Sequence, residues 1–449
     1  MARRHLGLLL LALGVTSALA KEVGFADLFK PYPPRRNRGR QVMARMASKG
    51  VGPALRHIHR FERAIDEVQK RFDAANKTYQ KNGDKWWGWR TTYERNYRRK
   101  HKRPPADYPT PQGINKIYIA SELAFKKARA DKLQERLFQE AVLQQIGARL
   151  KTADDRALAG LRVALGARAA LTRVRAAELL ALVPADGAVA VADAALAGER
   201  HPVVLQRLLA VASPAAVAPF LGHAAWPVRS GAIARVKDEA LLRARLPLEK
   251  GRLLGELHEA LGETPPAHVP WFNKKVHAHA AVFCIEATAA AAWPVIRDQT
   301  IRALDAMPDG GMFGIVVLER KVVSWKRRLQ PLNPGTRAAA KKFLEGVEPD
   351  GVADVYEGLR VAVEMTGAGG TAPAKIDTMF LGLIRAPAEA QTQRAVAHYV
   401  DPRQVMLEFL PLNAVRGLKV HAFGPSGGGE SFYLQGIVKA FGGTLTNPG

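Results

Sequence analysis

The run AAVFCI, Ala280 to Ile285, constrains this chain more than any other stretch. Its residues are apolar in unbroken succession, with no polar alternation, so they fit a parallel strand covered on both faces. Four alanines, Ala289 to Ala292, then lead to Pro294, which suits a first helical turn. Ile296, Ala303, Leu304 and Met307 follow at helical spacing and predict the face that packs back on a sheet.

The pattern repeats downstream. MFGIVVLE (Met312 to Glu319) and KVVSW (Lys321 to Trp325) read as strands about a short turn, and TRAAAKKFLEGV from Thr336 as a helix. ADVYEGLRVAVEM is a second helix before the apolar strand Ile376 to Ile384. A further helix, from about Asp401 to Arg416, precedes LKVHAFG (Leu418 to Gly424), the helix ESFYLQGIVKAF and a last short strand, GTLT. Strands alternating with helices predict an α/β fold, an open, mostly parallel, doubly wound sheet with helices on both faces and ligands at the strand carboxyl ends.

These residues resemble the von Willebrand factor type A domain, from about residue 275 to Gly449. VFCIEATAAAA stands where that family has an apolar strand ending in D-x-S-x-S. ERKVVSWKRRLQPLNPGTRAAAKKFLEGVEPDGVADVYEGL is similar to its second and third strands, a helix and the G-G-T-[DN]-hydrophobic-Y turn. MFLGLIRAP resembles the strand ending in S-D-G, and VKAFGG the close of the last helix. The resemblance implies the Rossmann-like sheet already expected and a binding role.

It also implies five positions for a divalent cation, and here they read Glu286, Thr288, Ala290, Ala353 and Ile384. Magnesium demands near-octahedral oxygen ligation, and alanine and isoleucine side chains offer no lone pair. Glu286 is also one methylene longer than the aspartate it replaces. The expectation is a scaffold that has kept its fold and lost its ion, with Asp354 and Asp298 the carboxylates that could compensate.

The first twenty residues, MARRHLGLLLLALGVTSALA, have the basic start, short leucine-rich core and small residues at Ala18 and Ala20 of a secretory signal peptide. Cleavage near Ala20 would place the chain in the periplasm or outside the cell, and no later segment reads as a transmembrane span. The single cysteine, Cys284, lies inside the first buried strand. It has no partner for an internal disulfide, and an apolar interior suits neither a catalytic thiol nor a reactive one.

The net charge of +26 is unevenly placed: Lys30 to Arg103 carries 22 Lys and Arg against six acids. Residues 21–112 therefore read as a basic, Pro- and aromatic-rich segment, with Arg35, Arg36, Arg38 and Arg40 in its opening. Ile58, Phe61, Ile65, Val68, Phe72, Ala75 and Tyr79 mark a long amphipathic helix with one seam. Trp86, Trp87, Trp89, Tyr93 and Tyr97 follow, then the basic run from Arg98, Arg99 and Lys100 to Arg103. These rings are expected to plug the end of an all-α helical hairpin, with a second helix from about Asn115 to Leu150 folding back on the first. Interleaved rings and cations are also the composition that holds anionic polymers. Export makes a nucleic acid partner unexpected.

Residues 113–265 turn to Ala, Leu, Val and Arg. Val174, Val203 and Val228 sit in three similar segments, and Pro202 and Pro227 stand where helices begin. The region resembles HEAT-type repeats, which implies a short solenoid and a macromolecular partner. The prolines of GETPPAHVPWFNKK (Gly262 to Lys275) mark a domain boundary before 275–449. GAGGTAPA (Gly367 to Ala374) reads as a flexible loop, and RAPAEAQTQRAVAHY as one wrapping the strand ends near Ile384.

Catalytic signals are weak. GPSGG (Gly424 to Gly428) fits G-x-S-x-G between a strand and a helix, yet Glu430 follows Ser426 and no histidine does, while His421 precedes it. His57 and His59 do not share a helix face, and His277 and His279, which would share a strand face, lack a third ligand. No phosphate loop, zinc-protease motif or other cofactor signature is present. The reading is an exported, non-enzymatic scaffold that engages a protein partner through its last domain and repeats without a cofactor or metal. The alternative is attachment to an anionic envelope polymer or polysaccharide through the basic aromatic segment.

Overall fold

The computed structural model describes residues 51–56, 58–107, 111–150, 155–265, 268–319, 322–350, 353, 355–365, 376–384, 388–391, 396–399, 402–424 and 429–447. The signal segment, Arg35, Arg36, Arg38, Arg40, His57, the loop at 367–374, Asp354 and Ser426 lie outside them.

A short helix α1 (Val51–Arg56) leads into α2 (Arg60–His101) and its antiparallel partner α3 (Gln112–Arg149). At 42 residues α2 is about 63 Å long. The expected seam forms: Phe61, Ile65, Val68, Phe72 and Tyr79 are buried, and α3 supplies Phe125 and Phe138 from the other side. Lys102 closes α2 in the left-handed region at φ 56, and its N–H bonds to the Arg98 carbonyl. The boundary expected at 112–113 coincides with the hairpin tip, so α2 and α3 pair across it.

Shorter helices follow: α4 (Asp155–Leu165), α5 (Ala170–Leu180), α6 (Ala185–Leu196), α7 (Pro202–Leu209), α8 (Pro214–Val217), α9 (Trp226–Ile233), α10 (Glu239–Arg245) and α11 (Gly251–Ala260). Pro202 and Pro227 open α7 and α9, where their missing N–H costs no hydrogen bond. Alternate helices pack in a row, α5 on α7, α7 on α9 and α9 on α11. Val174, Val203 and Val228 all point into the core of this row, each nearly or fully buried. That core runs back to Phe61 and Phe138 at the hairpin root.

The remaining strands and helices are β1 (Val269–Trp271), β2 (Lys274–Val276), β3 (Ala281–Glu286), α12 (Trp293–Ala306), β4 (Met312–Leu318), β5 (Val322–Ser324), β6 (Gln330–Pro331), α13 (Pro334–Glu345), α14 (Val355–Met365), β7 (Thr378–Gly382), β8 (Ala388–Gln391), β9 (Val396–Tyr399), α15 (Pro402–Ala414), β10 (Lys419–Phe423), α16 (Gly429–Phe441) and β11 (Leu445–Thr446). The main sheet runs β11-β10-β7-β3-β4-β5, with β6 also paired to β4. Its β10-β11, β7-β10, β3-β7 and β3-β4 pairs are parallel, and β5 closes the edge antiparallel to β4. Counting only those six strands in chain order, the sequence across the sheet is 6-5-4-1-2-3, the doubly wound order.

Every residue of β3 is buried, as its unbroken apolar run predicts. Val282 and Cys284 face a core with α14, α15 and α16, whereas Phe283 and Ile285 face another with α12 and α13. Pro294 lies in the first turn of α12, and Ile296, Ala303, Leu304 and Met307 are buried. α13 begins two residues before Thr336 because Asn333 and Thr336 form a capping box.

The stretch Gly262 to Lys275 is more than a proline-marked linker. β1 and β2 form an antiparallel hairpin that lies on α12, with the wholly buried Trp271 against Phe380 at 4.9 Å. β8 and β9 pair antiparallel where a wrapping loop was expected. His277 and His279 lie between β2 and β3 and in neither strand, so they do not share a strand face.

Candidate functional site

The order reversal of the sheet falls between β3 and β7, so their carboxyl ends flank the crevice where such folds hold ligands. Glu286 ends β3 and is 1% exposed. The Thr288 hydroxyl donates to its Oε1 at 2.5 Å, and the backbone N–H of Ile384, past β7, donates to its Oε2 at 2.7 Å. Each carboxylate oxygen thus accepts from the chain itself, and the two strand ends are laced together.

Three of the five expected positions therefore meet, Glu286, Thr288 and Ile384. Ala290 is exposed in the turn before α12, and Ala353 is buried in the core beneath α14. Asp298 pairs with Arg297 at 2.9 Å on α12. Among the described residues, no group of three or more His, Cys, Asp and Glu is placed to hold a metal ion.

Two carboxylates at this mouth were missed from the sequence. Glu319 follows β4, and burial together with the nearby Asp350 charge pushes its carboxyl above the usual range. Asp350 is held there by its own N–H, which bonds to the Ala287 carbonyl at 3.1 Å. Glu319 directly after an apolar strand was the available signal.

Among the described residues, the candidate nucleophile and histidine are not poised for catalysis. Burial pushes the Cys284 thiol far up. His421 on β10 stands 2.9 Å from Thr444 Oγ1, and burial, helped by the Lys419, Arg252 and His277 charges, pushes it down to about 3. The side chain of Glu430, like Ser426, lies outside the described residues.

The hairpin presents a different surface. Trp86 stacks on Tyr118 of α3 at 5.6 Å, the packing role expected for a hairpin plug. Trp89, Tyr93, Tyr97 and His101 instead form a ladder along α2, with successive ring centroids 5.5, 6.0 and 4.3 Å apart. The four-residue spacing of one helix face produces it. Arg90 lies over Trp86 and Trp87 at 5.4 and 5.2 Å, while Arg98, Arg99 and Lys100 are exposed on the last turns. From Lys81 to Arg129 the hairpin holds thirteen Lys and Arg against four acids. α3 adds exposed Ile117, Ile119 and Leu123.

The hairpin root is fixed to the sheet layer by a buried charge. Lys132 Nζ lies 2.9 Å from Glu408 Oε1 of α15 and donates to the Tyr356 hydroxyl of α14 at 3.1 Å. It also sits over the Phe72 and Tyr356 rings. At the other end of the sheet, Arg252 of α11 donates to the Asp377 and Gly417 carbonyls at 3.2 and 3.0 Å and lies over Trp226. Among the described residues, no helix is long and apolar enough to cross a membrane.

No family model and no curated protein matches the chain. Among solved structures it is similar to a von Willebrand factor type A protein from Catenulispora acidiphila, with 18% identity and TM-score 0.32, over 39% of this chain and 40% of that one. It is also similar to a mutant of the PilB minor pilin from Streptococcus sanguinis, with 12% identity and TM-score 0.26, over 39% of this chain and 58% of that one. The chain spans less than two thirds of either protein, and neither likeness carries a statement about activity.

Proposed function

We propose that this is an exported, non-catalytic binding protein that grips an extended anionic envelope polymer along the tip of the α2–α3 hairpin. The observation that carries this reading is the ladder of Trp89, Tyr93 and Tyr97, partly exposed and flanked by Arg95, Arg98, Arg99 and Lys100. Ring faces stack on flat apolar faces of a polymer unit, and the surrounding cations neutralise its charges. The rigid length of the helix pair holds these groups clear of the body, where a linear ligand can lie along them.

Retention of the full chain on immobilised heparin at rising salt tests it. Strong retention is expected, falling steeply with ionic strength. It should drop sharply in the triple variant Arg98→Glu, Arg99→Glu, Lys100→Glu, and partly in Trp89→Ala with Tyr93→Ala. Equal retention of wild type and both variants would overturn the reading.

A second reading concerns the sheet: a von Willebrand type A scaffold whose cation site is replaced by the Glu286 bonds, binding a protein partner at the strand-end face, with the alternate-helix row acting as HEAT-like repeats. The bond from Ile384 to Glu286 favours it, because a mouth laced by its own groups offers a preformed surface rather than a ligand-hungry one. A stoichiometric partner crosslinked at high salt to a residue near Ile384 would support it, and its absence from native envelope extracts would count against it.

A further inference from the structure

The outer face of α3 is aliphatic and is covered by no described element. Of the nine large apolar side chains exposed among the described residues, three fall within seven consecutive positions of this helix: Ile117 is 57%, Ile119 46% and Leu123 63% exposed. At about 100° per residue they share one side with the exposed Ala120 and Ala124, across about 160° of the helix. The opposite side carries Tyr118 and Phe125, whose rings pack on Tyr79 and Phe72 of α2. The inner seam holds the helix, so the outer face is formed before anything binds it.

Cations border that face. Lys116 and Lys127 lie on it, both exposed; Lys127 pairs with Asp131 at 3.2 Å, and Lys116 has no carboxylate partner among the described residues. Glu122, the acid between them, stands at the flank and pairs with Lys126 at 2.7 Å. From Gln112 to Ala130 the helix holds four Lys and Arg against one acid. Trp86 stacks on Tyr118, which sets it and the half-buried Trp87 level with Ile117 and Ile119.

This combination selects among occupants. A linear polymer has no apolar interior to receive isoleucine and leucine, and a second copy in antiparallel register would set Lys116 against Lys127. An anionic bilayer meets both demands: aliphatic side chains enter the acyl boundary, lysine stems reach back to the phosphates, and tryptophans settle at the headgroup level. We propose that α3 lies flat on an anionic lipid bilayer through Ile117, Ile119 and Leu123, with Lys116 and Lys127 on the headgroups. The polymer-gripping ladder on α2 uses other residues and is not required for this contact.

Flotation of the chain from Lys21 onward, the form left after the expected cleavage, tests it with phosphatidylcholine vesicles with and without phosphatidylglycerol. Binding to the anionic vesicles is expected, at least about tenfold stronger than to the neutral ones. The triple variant Ile117→Ser, Ile119→Ser, Leu123→Ser should lose at least about tenfold in that binding and keep wild-type circular dichroism and retention on heparin. Because Cys284 is buried, Leu123→Cys can be labelled alone with a polarity-sensitive dye. Its emission should shift to the blue on anionic vesicles, while a dye at Val163→Cys, exposed on α4, should not respond. The proposal fails if wild type ignores the anionic vesicles, or if the triple variant floats as wild type does. It fails equally if sedimentation shows a wild-type dimer that the triple variant splits, since a second copy would then be the occupant.

Discussion

The backbone N–H of Ile384 bonds to Glu286 Oε2 at 2.7 Å although the residues stand 98 apart in sequence. Glu286→Ala leaves that N–H and the Thr288 hydroxyl without their acceptor in a buried place. The expected loss is about 2 to 4 kcal/mol in urea unfolding. Glu286→Gln keeps one oxygen for Ile384 and turns an amide toward Thr288, whose hydroxyl can accept, so its loss should be under half as large. Magnesium titrated into wild type should give no micromolar binding heat, since Ala290, Ala353 and Ile384 bring no side-chain oxygen. Micromolar binding lost in Glu286→Ala would refute the account.

The Lys132 pair makes a second prediction. Lys132→Met leaves Glu408 buried with its charge uncompensated, and such losses run to about 3 to 5 kcal/mol. Adding Glu408→Leu should recover most of the loss, because an apolar pair of similar volume tolerates the site. A double-mutant cycle in guanidinium measures this. If the double variant were as unstable as the single one, the buried charge would not be the cause.

Acid should act through two groups of opposite sign. His421 is pushed down to about 3, below its unfolded value, so its contribution is present above about pH 6.5 and is lost as pH falls toward 3. Asp377 is pushed up to about 6 by burial, with the Thr378 hydroxyl bond, the Arg252 charge and the His279 N–H opposing, so its contribution is present below about pH 4 and lost as pH rises through 6. The His421 displacement is the larger, and the pair together should favour neutral pH. Relative to wild type, His421→Asn should flatten the fall in stability between pH 7 and 4.5. Asp377→Asn should steepen it. Thermal unfolding midpoints at the two pH values read both signs.

A backbone position makes a fourth test. Gly251 opens α11 at φ 54, and an added Cβ would lie 2.2 Å from the His279 nitrogen. Gly251→Ala is strained in conformation and blocked by backbone, so a loss of at least about 2 kcal/mol is expected. Hydrogen exchange should locate the loosening at the joint of α11 with the start of β3. Uniform exchange changes would contradict it.

The doubly wound sheet was legible because its strands are buried on both faces and therefore written as apolar runs, AAVFCI and TMFLG above all. Pro202, Pro227 and Pro294 marked helix starts for an equally local reason. The β1–β2 hairpin was hidden because prolines and a lone Trp271 look like a linker until Phe283 and Phe380 are seen beneath the ring. In the candidate site, the five positions could be named from a resemblance, whereas the bonds that close Glu286 depend on Ile384 arriving from another strand. The hairpin seam was legible from its spacing, and the ladder of Trp89, Tyr93 and Tyr97 sits at the same spacing on the outer face. Long-range ion pairs such as Lys132 with Glu408 leave no trace in local pattern.

Phe61 and Phe138 seat the hairpin root in the core of the short helices, and Lys132 seats it on α14 and α15 of the sheet layer. Such a member works as a lever with its fulcrum inside the molecule. A force applied at Trp89 or Tyr97 would act as torque on both cores at once.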